Sequence, residues 1–113
     1  MASGENIKTY FNVDHAITVN SWTSGLVVAL GAIELEPGDE VIVSPWTMCA
    51  TATAILHWNL IPVFADIDRS SYCLDPASVR KSISDRTKAI ISIDIAGQPA
   101  NTEEINLIAK KHG

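Results

Sequence analysis

LVVALGAIELEPGDEVIVS, residues 26–44, decides the fold. Its first half, Leu26 to Leu35, is apolar on almost every side, which predicts a helix that must be covered over more than one face. Pro37 and Gly38 stop that helix. The β-branched run Val41 to Val43 then reads as a strand buried on both faces, the habit of parallel sheets rather than of half-solvated antiparallel ones.

Outward from this stretch the same alternation repeats. Apolar runs at AITVN (16–20), VIVS (41–44), IPVFAD (61–66) and KAIISID (88–94) are predicted strands. Helices are predicted between and after them, at Thr23–Glu36, Thr47–His57, Pro76–Ile83 and Thr102–His112. Asp75 stands as a helix cap with Pro76 at the first helical position, and NTEE (101–104) puts acidic residues in a first turn. Strand and helix in alternation predict right-handed crossovers and an α/β fold, a three-layer αβα sandwich with a mainly parallel sheet. The apolar first helix lacks cover within so short a chain, so a partner subunit or further sequence is expected against it.

At 113 residues one domain is expected. The formal charge of -5 comes without a cluster of Lys or Arg, which excludes a nucleic-acid or anionic-membrane surface. No run approaches the roughly 18 apolar residues of a membrane span, and MASGENIKTYFNVDH shows no secretory pattern, so a cytoplasmic protein is expected. Cys49 and Cys73 have neither CxxC spacing nor a secretory context, which predicts two reduced, mostly buried thiols and no metal site.

The chemistry concentrates where the predicted strand 16–20 turns into the apolar helix. Such a turn opens at the carboxyl end of a sheet, where open α/β folds bind ligands. Backbone N–H groups of Thr23, Ser24 and Gly25, with the hydroxyls of Ser21, Thr23 and Ser24, form a donor set suited to phosphate. Simple N-capping uses the same residue types. Neither GxGxxG nor GxxxxGK[ST] occurs. Asp66 and Asp68 read as a strand-ending turn, and His15, His57 and His112 share no spacing that makes a site. DIAGQPAN (94–101) follows a strand end, so Asp94 and Gln98 are candidates to line the crevice, although Gly97 and Pro99 need only a turn.

The ordered set NSWTSGLVVALGAIELEPGDEVIVSPWTMCATATAIL (20–56), IPVFADID, LDPASV, RTKAII and GQPAN resembles the opening of the large domain in the DegT/DnrJ/StrS sugar aminotransferases. The likeness runs from Tyr10 to Gly113. It implies the fold type I class and pyridoxal 5'-phosphate as cofactor, with the SWTSG turn holding its phosphate through Thr23 and Ser24. The family places an aromatic residue on the pyridine ring just after the Thr of its P-x-x-T or P-x-T loop, which is PWT (45–47) in this chain. Here that position is Met48, with Trp46 two residues earlier, and either side chain suits a ring contact. The likeness further implies a homodimer with its site at the subunit interface. The activity it implies is amino transfer from glutamate or a similar donor to a nucleotide-linked keto-sugar, for amino sugars of polysaccharides or secondary metabolites.

Transamination needs a Schiff-base lysine and a carboxylate on the pyridine nitrogen. The resemblance puts both beyond Gly113, and none of Lys8, Lys81, Lys88, Lys110 and Lys111 follows a strand end beside the phosphate turn. Residues 1–113 are therefore expected to be a partial large domain with no catalytic residue of its own, residues 1–9 forming a flexible arm. A fragment or truncated gene product is the corresponding expectation. Two other classes stay open: a non-catalytic module that binds a phosphorylated small molecule or a protein partner, and an inactive remnant without ligand.

Overall fold

The computed structural model describes residues 2–113. Its elements are α1 (Ala2–Phe11), α2 (Trp22–Ala32), β1 (Glu40–Val43), α3 (Cys49–His57), β2 (Ile61–Phe64), α4 (Pro76–Ser82), β3 (Thr87–Ile91) and α5 (Thr102–His112), with a single 3-10 turn at Ile95–Gly97. The three strands form one parallel sheet in the order β2-β1-β3. Val43 pairs with Phe64 on one side and Ile91 on the other.

Strand alternation divides the core into two layers. Val41 and Val43 point to one face and pack with Leu26 and Leu30 of α2, Ala54 and Ile55 of α3, and Leu60. Ile42 points to the other and packs with Ala65, Leu74, Val79 of α4, and Ile105 and Ile108 of α5. The expected three-layer αβα arrangement is thus present, with β1 buried throughout. β2 is an edge strand and departs from the expected double burial: Ile61 and Phe64 are exposed, and Pro62 is tolerated at an edge because it has no N–H to give a ladder.

Local expectations differ from the structure at four places. Residues 16–20 are irregular chain with a bend at Asn20 and no ladder partner among the described residues, and Ile17 is 81% exposed; apolar composition does not make a strand where no neighbour supplies hydrogen bonds. Within the segment 1–9, expected as a flexible arm, residues 2–9 lie in α1, with a Glu5–Lys8 ion pair at 3.5 Å and a Thr9 hydroxyl donating to the Glu5 carbonyl; Met1 lies outside the described residues. α2 ends at Ala32, four residues early, because Glu34 turns left-handed at φ 53°. α3 begins at Cys49, since Met48 before it is extended.

Both thiols are free, and Cys73 is buried as expected. Cys49 is exposed instead, because it opens α3 at the edge of the molecule. Among the described residues no helix is long and apolar enough to cross a membrane, and no group of three His, Cys, Asp or Glu side chains is placed to hold a metal ion.

Two carboxylates brace turns at opposite ends of the parallel sheet. Glu40, buried at the start of β1, accepts hydrogen bonds from the Ser84 hydroxyl and from Arg86 at 2.8 and 3.1 Å. The Ser84 hydroxyl does most to hold the Glu40 carboxyl below its usual range; burial opposes this and Arg86 adds to it. Asp68 accepts from the backbone and hydroxyls of Ser70 and Ser71, the strand-ending turn expected of Asp66 and Asp68, and these bonds, the Ser70 hydroxyl foremost, bring its pKa to about 2. A depressed native pKa gives stability that is complete above the unfolded value and disappears as pH falls through the native one. Acid titration followed by circular dichroism should therefore show stability declining as pH falls from about 3.8 to about 2, and Asp68→Asn should flatten that limb. An unchanged limb in the variant would remove Asp68 as a cause.

Candidate functional site

The crossovers put two helix N-termini at one rim. Both α2 and α3 run antiparallel to the strands, α2 leading to the start of β1 and α3 leading from the end of β1 back to the start of β2. The turns after the two helices are tied together, Gly38 N–H donating to the Asn59 carbonyl at 3.0 Å and Ile61 N–H to the Asp39 carbonyl at 2.8 Å. The opposite ends, Ser21–Gly25 and Pro45–Met48, therefore open together at the carboxyl end of the strands.

At the α2 mouth, Ser21 is the N-cap. Its Oγ accepts from Ser24 N–H at 3.1 Å and donates to Ser24 Oγ at 3.0 Å, while Gly25 N–H bonds the Ser21 carbonyl at 3.1 Å. This corrects the expected set of free amides. The helix starts at Trp22, one residue before the expected Thr23, so the amides without an intrahelical acceptor are those of Trp22 and Thr23, and the Ser24 and Gly25 amides are engaged. The hydroxyls of Thr23 and Ser24 remain as side-chain donors. No acidic residue occupies the first turn, so the helix dipole there is not neutralised. An apolar cleft of about 500 Å³ adjoins this mouth, lined by Val19, Trp22 and Leu26 among others.

At the α3 mouth, Pro45, Trp46, Thr47 and Met48 line a second cleft of about 460 Å³. Trp46 is 58% exposed and Met48 71% exposed, so neither fills the core. Ser44, buried beneath them, accepts from Trp46 N–H at 3.0 Å, and the Thr47 and Thr51 hydroxyls are 3.2 Å apart. Met48 is the N-cap residue and makes no side-chain cap, which leaves its thioether uncommitted.

The third loop at the rim follows β3. Asp94 does not present a free carboxylate, because its Oδ1 accepts from Ala100 N–H at 2.9 Å, and Gln98 is turned toward the Pro99 carbonyl. Left-handed Ala96 and Gly97 complete a tight turn. The loop instead contributes Ile95 to the Trp46–Met48 cleft. No sequence signal marked Ile95; it arrives through the pairing of β1 with β3.

None of the lysines joins the two mouths. Lys8 lies in α1, Lys81 in the last turn of α4, Lys88 in β3 beside Ser84 and Asp85, and Lys110 and Lys111 in the last turn of α5. His15 precedes α2, His57 ends α3 against Trp58, and His112 ends α5, so the histidines form no common site.

Parallel strands, helix layers on both faces and helix mouths at the carboxyl rim define an α/β domain of the open-sheet class, in which ligands generally bind outside the strand ends. The sequence pattern of the DegT/DnrJ/EryC1/StrS aminotransferase family matches residues 4–113, and the chain belongs to that family. It is 40% identical to the spore coat polysaccharide biosynthesis protein SpsC of Bacillus subtilis, over 92% of this chain and 27% of that protein. It is 44% identical to a UDP-N-acetyl-3-dehydro-alpha-D-glucosamine 3-aminotransferase of Acidithiobacillus ferrooxidans, over 89% of this chain and 27% of that one. The crystal structure of NtdA from Bacillus subtilis with bound cofactor PMP superposes with a TM-score of 0.94 at 29% identity, covering 96% of this chain and 25% of NtdA. The chain spans about a quarter of the length of the curated relatives it matches.

Proposed function

We propose that this chain forms the cofactor-phosphate part of a pyridoxal-phosphate-dependent aminotransferase acting on nucleotide-linked keto-sugars. Glutamate or a similar donor supplies the amino group, and the product is an amino sugar for polysaccharide or related biosynthesis. The observation that carries this reading is the pairing of an anion-favouring helix mouth with an uncommitted Trp46–Met48 cleft at one rim. The residues present fit the group: Thr23 and Ser24 would hold the phosphate, with Ser21 fixing Ser24 and Gly25 beside them in the first turn of α2. Met48 and Trp46 would lie against the ring.

Pyridoxal phosphate, when bound, supplies the electron sink that transamination requires. The work of this chain is to bind and orient. Holding a proton at the reacting carbon calls for a lysine at the rim, and none of the lysines is placed there, so the chain by itself is proposed to bind without turnover. The uncovered apolar face of α2, with Trp22, Val28 and Ile33 exposed, supports a homodimeric intact enzyme, and two free thiols suit a reducing cytoplasm.

Equilibrium dialysis tests the reading. The full chain should take up pyridoxal phosphate saturably, with inorganic phosphate competing and pyridoxal binding far more weakly. Equal uptake of pyridoxal and pyridoxal phosphate would overturn it, because the phosphate would then contribute nothing.

A further inference from the structure

The two mouths belong to different helices, so a ligand that touches both depends on how firmly α2 is held beside α3. Only Leu26 and Leu30 of α2 are buried, and the segment that precedes the helix has no place in the sheet. One side chain reaches across to compensate. Trp58, at the C-cap of α3, donates its indole N–H to the Val27 carbonyl in the middle of α2 at 2.9 Å. Within the helix that carbonyl serves Gly31 N–H, and its second lone pair takes the indole.

Gly31 makes the approach possible. A Cβ there would sit 2.6 Å from Trp58 Cζ2 and 3.2 Å from two further ring atoms, closer than carbon atoms pack. The contact is therefore built from both sides: a glycine opens the α2 surface, and the indole fills it and bonds the backbone behind. With the turns after the helices already tied at Gly38–Asn59 and Asp39–Ile61, the Trp58–Val27 bond is a second fixed point farther up α2. Together with the packing of Leu26 and Leu30 against Ala54 and Ile55, this bond holds α2 against α3 and so bears on the separation of Thr23 and Ser24 from Trp46 and Met48.

We propose that Trp58 is a positioning residue for the candidate cofactor site, acting through α2 on the spacing of the two mouths. This rests on the proposed cofactor role of those mouths. It touches neither phosphate nor ring itself. A probe that occupies only the α2 mouth should not sense Trp58, whereas one that spans both mouths should.

Inorganic phosphate and pyridoxal phosphate are those two probes. In the full chain, Trp58→Phe keeps an aromatic ring and removes the N–H donor. It should weaken pyridoxal phosphate roughly five- to tenfold, the scale of one lost hydrogen bond, and leave inorganic phosphate within about twofold. Gly31→Ala, which displaces the indole without altering it, should give the same split. Equal pyridoxal-phosphate affinity in the parent and both variants overturns the proposal. So does a matched loss of both probes, or loss of the cooperative melt in both variants, since Trp58 would then serve folding alone. Failure of the parent chain to bind pyridoxal phosphate is a different result and overturns the site reading on which the proposal rests.

Discussion

Ser24→Asp should abolish binding of phosphate and pyridoxal phosphate while leaving the fold intact. Ser24 is the third residue of α2, and its N–H is already held by the Ser21 cap at 3.1 Å. A carboxylate at that position suits a helix, because it faces the positive end of the dipole. The same carboxylate would stand among the donors proposed for the anion. Two like charges about 4 Å apart repel by about 4 kcal/mol at the effective dielectric of a protein surface, on the order of a thousandfold in Kd. Thermal melting should thus be unchanged or slightly raised, and saturable uptake should vanish. Parent-like affinity in this variant would remove the α2 mouth from the site, and a lowered melting temperature would mean that Ser24 serves the fold in a way the cap geometry does not explain.

Elements that carry their own boundary chemistry were legible in the sequence. α4 begins at Pro76 because Asp75 accepts from Ala77 N–H at 2.9 Å, and α5 begins at Thr102 because Asn101 accepts from Glu104 N–H at 3.2 Å. β1 was legible because its apolar run has no other use than burial on both faces. Residues 16–20 are also rich in β-branched side chains, but a strand is a property of a pair, and among the described residues no ladder partner faces them. α1 was missed although Ile7, Tyr10 and Phe11 stand at the i, i+3, i+4 spacing of a helix: the stripe is short, and all three side chains are exposed.

The candidate site shows the same division. The α2 mouth was placed at the crevice on the premise of a strand at 16–20, which does not join the sheet, and the Pro45–Met48 loop entered only through the family likeness. Which amides are engaged was not legible, because a cap one residue earlier reassigns every donor in the first turn. The approach of Ile95 to the Trp46–Met48 cleft and the bond from Trp58 to Val27 join residues far apart in the chain, and no local pattern encodes either. What the family likeness added was a ligand for the rim, a matter of chemistry that capping residues leave open.

Ile55→Ala should produce the largest loss of stability, and it separates folding from binding in the opposite sense to Ser24→Asp. Ile55 is fully buried where α2, α3 and β1 meet, against Leu26, Leu30, Val41, Val43 and Leu60. Its carbonyl also accepts from Trp58 and Leu60 N–H at 3.2 and 3.3 Å, so it lies at the point where α3 turns back toward β2. Removing a buried isoleucine side chain to Cβ costs about 2–5 kcal/mol, depending on how far the neighbours close the cavity. A single domain has only about 5–15 kcal/mol in total, and a short chain with an open sheet edge has less surface to bury than most. Urea unfolding should therefore move to a much lower midpoint, with ligand uptake falling only in step with the unfolded fraction. Leu107→Ala, on the exposed side of α5, should stay within about 0.5 kcal/mol of the parent and serves as the control. If Ile55→Ala behaved like Leu107→Ala, the α2 and α3 layer would not be packed on the sheet in solution, and the shared rim on which the proposed site depends would lose its support.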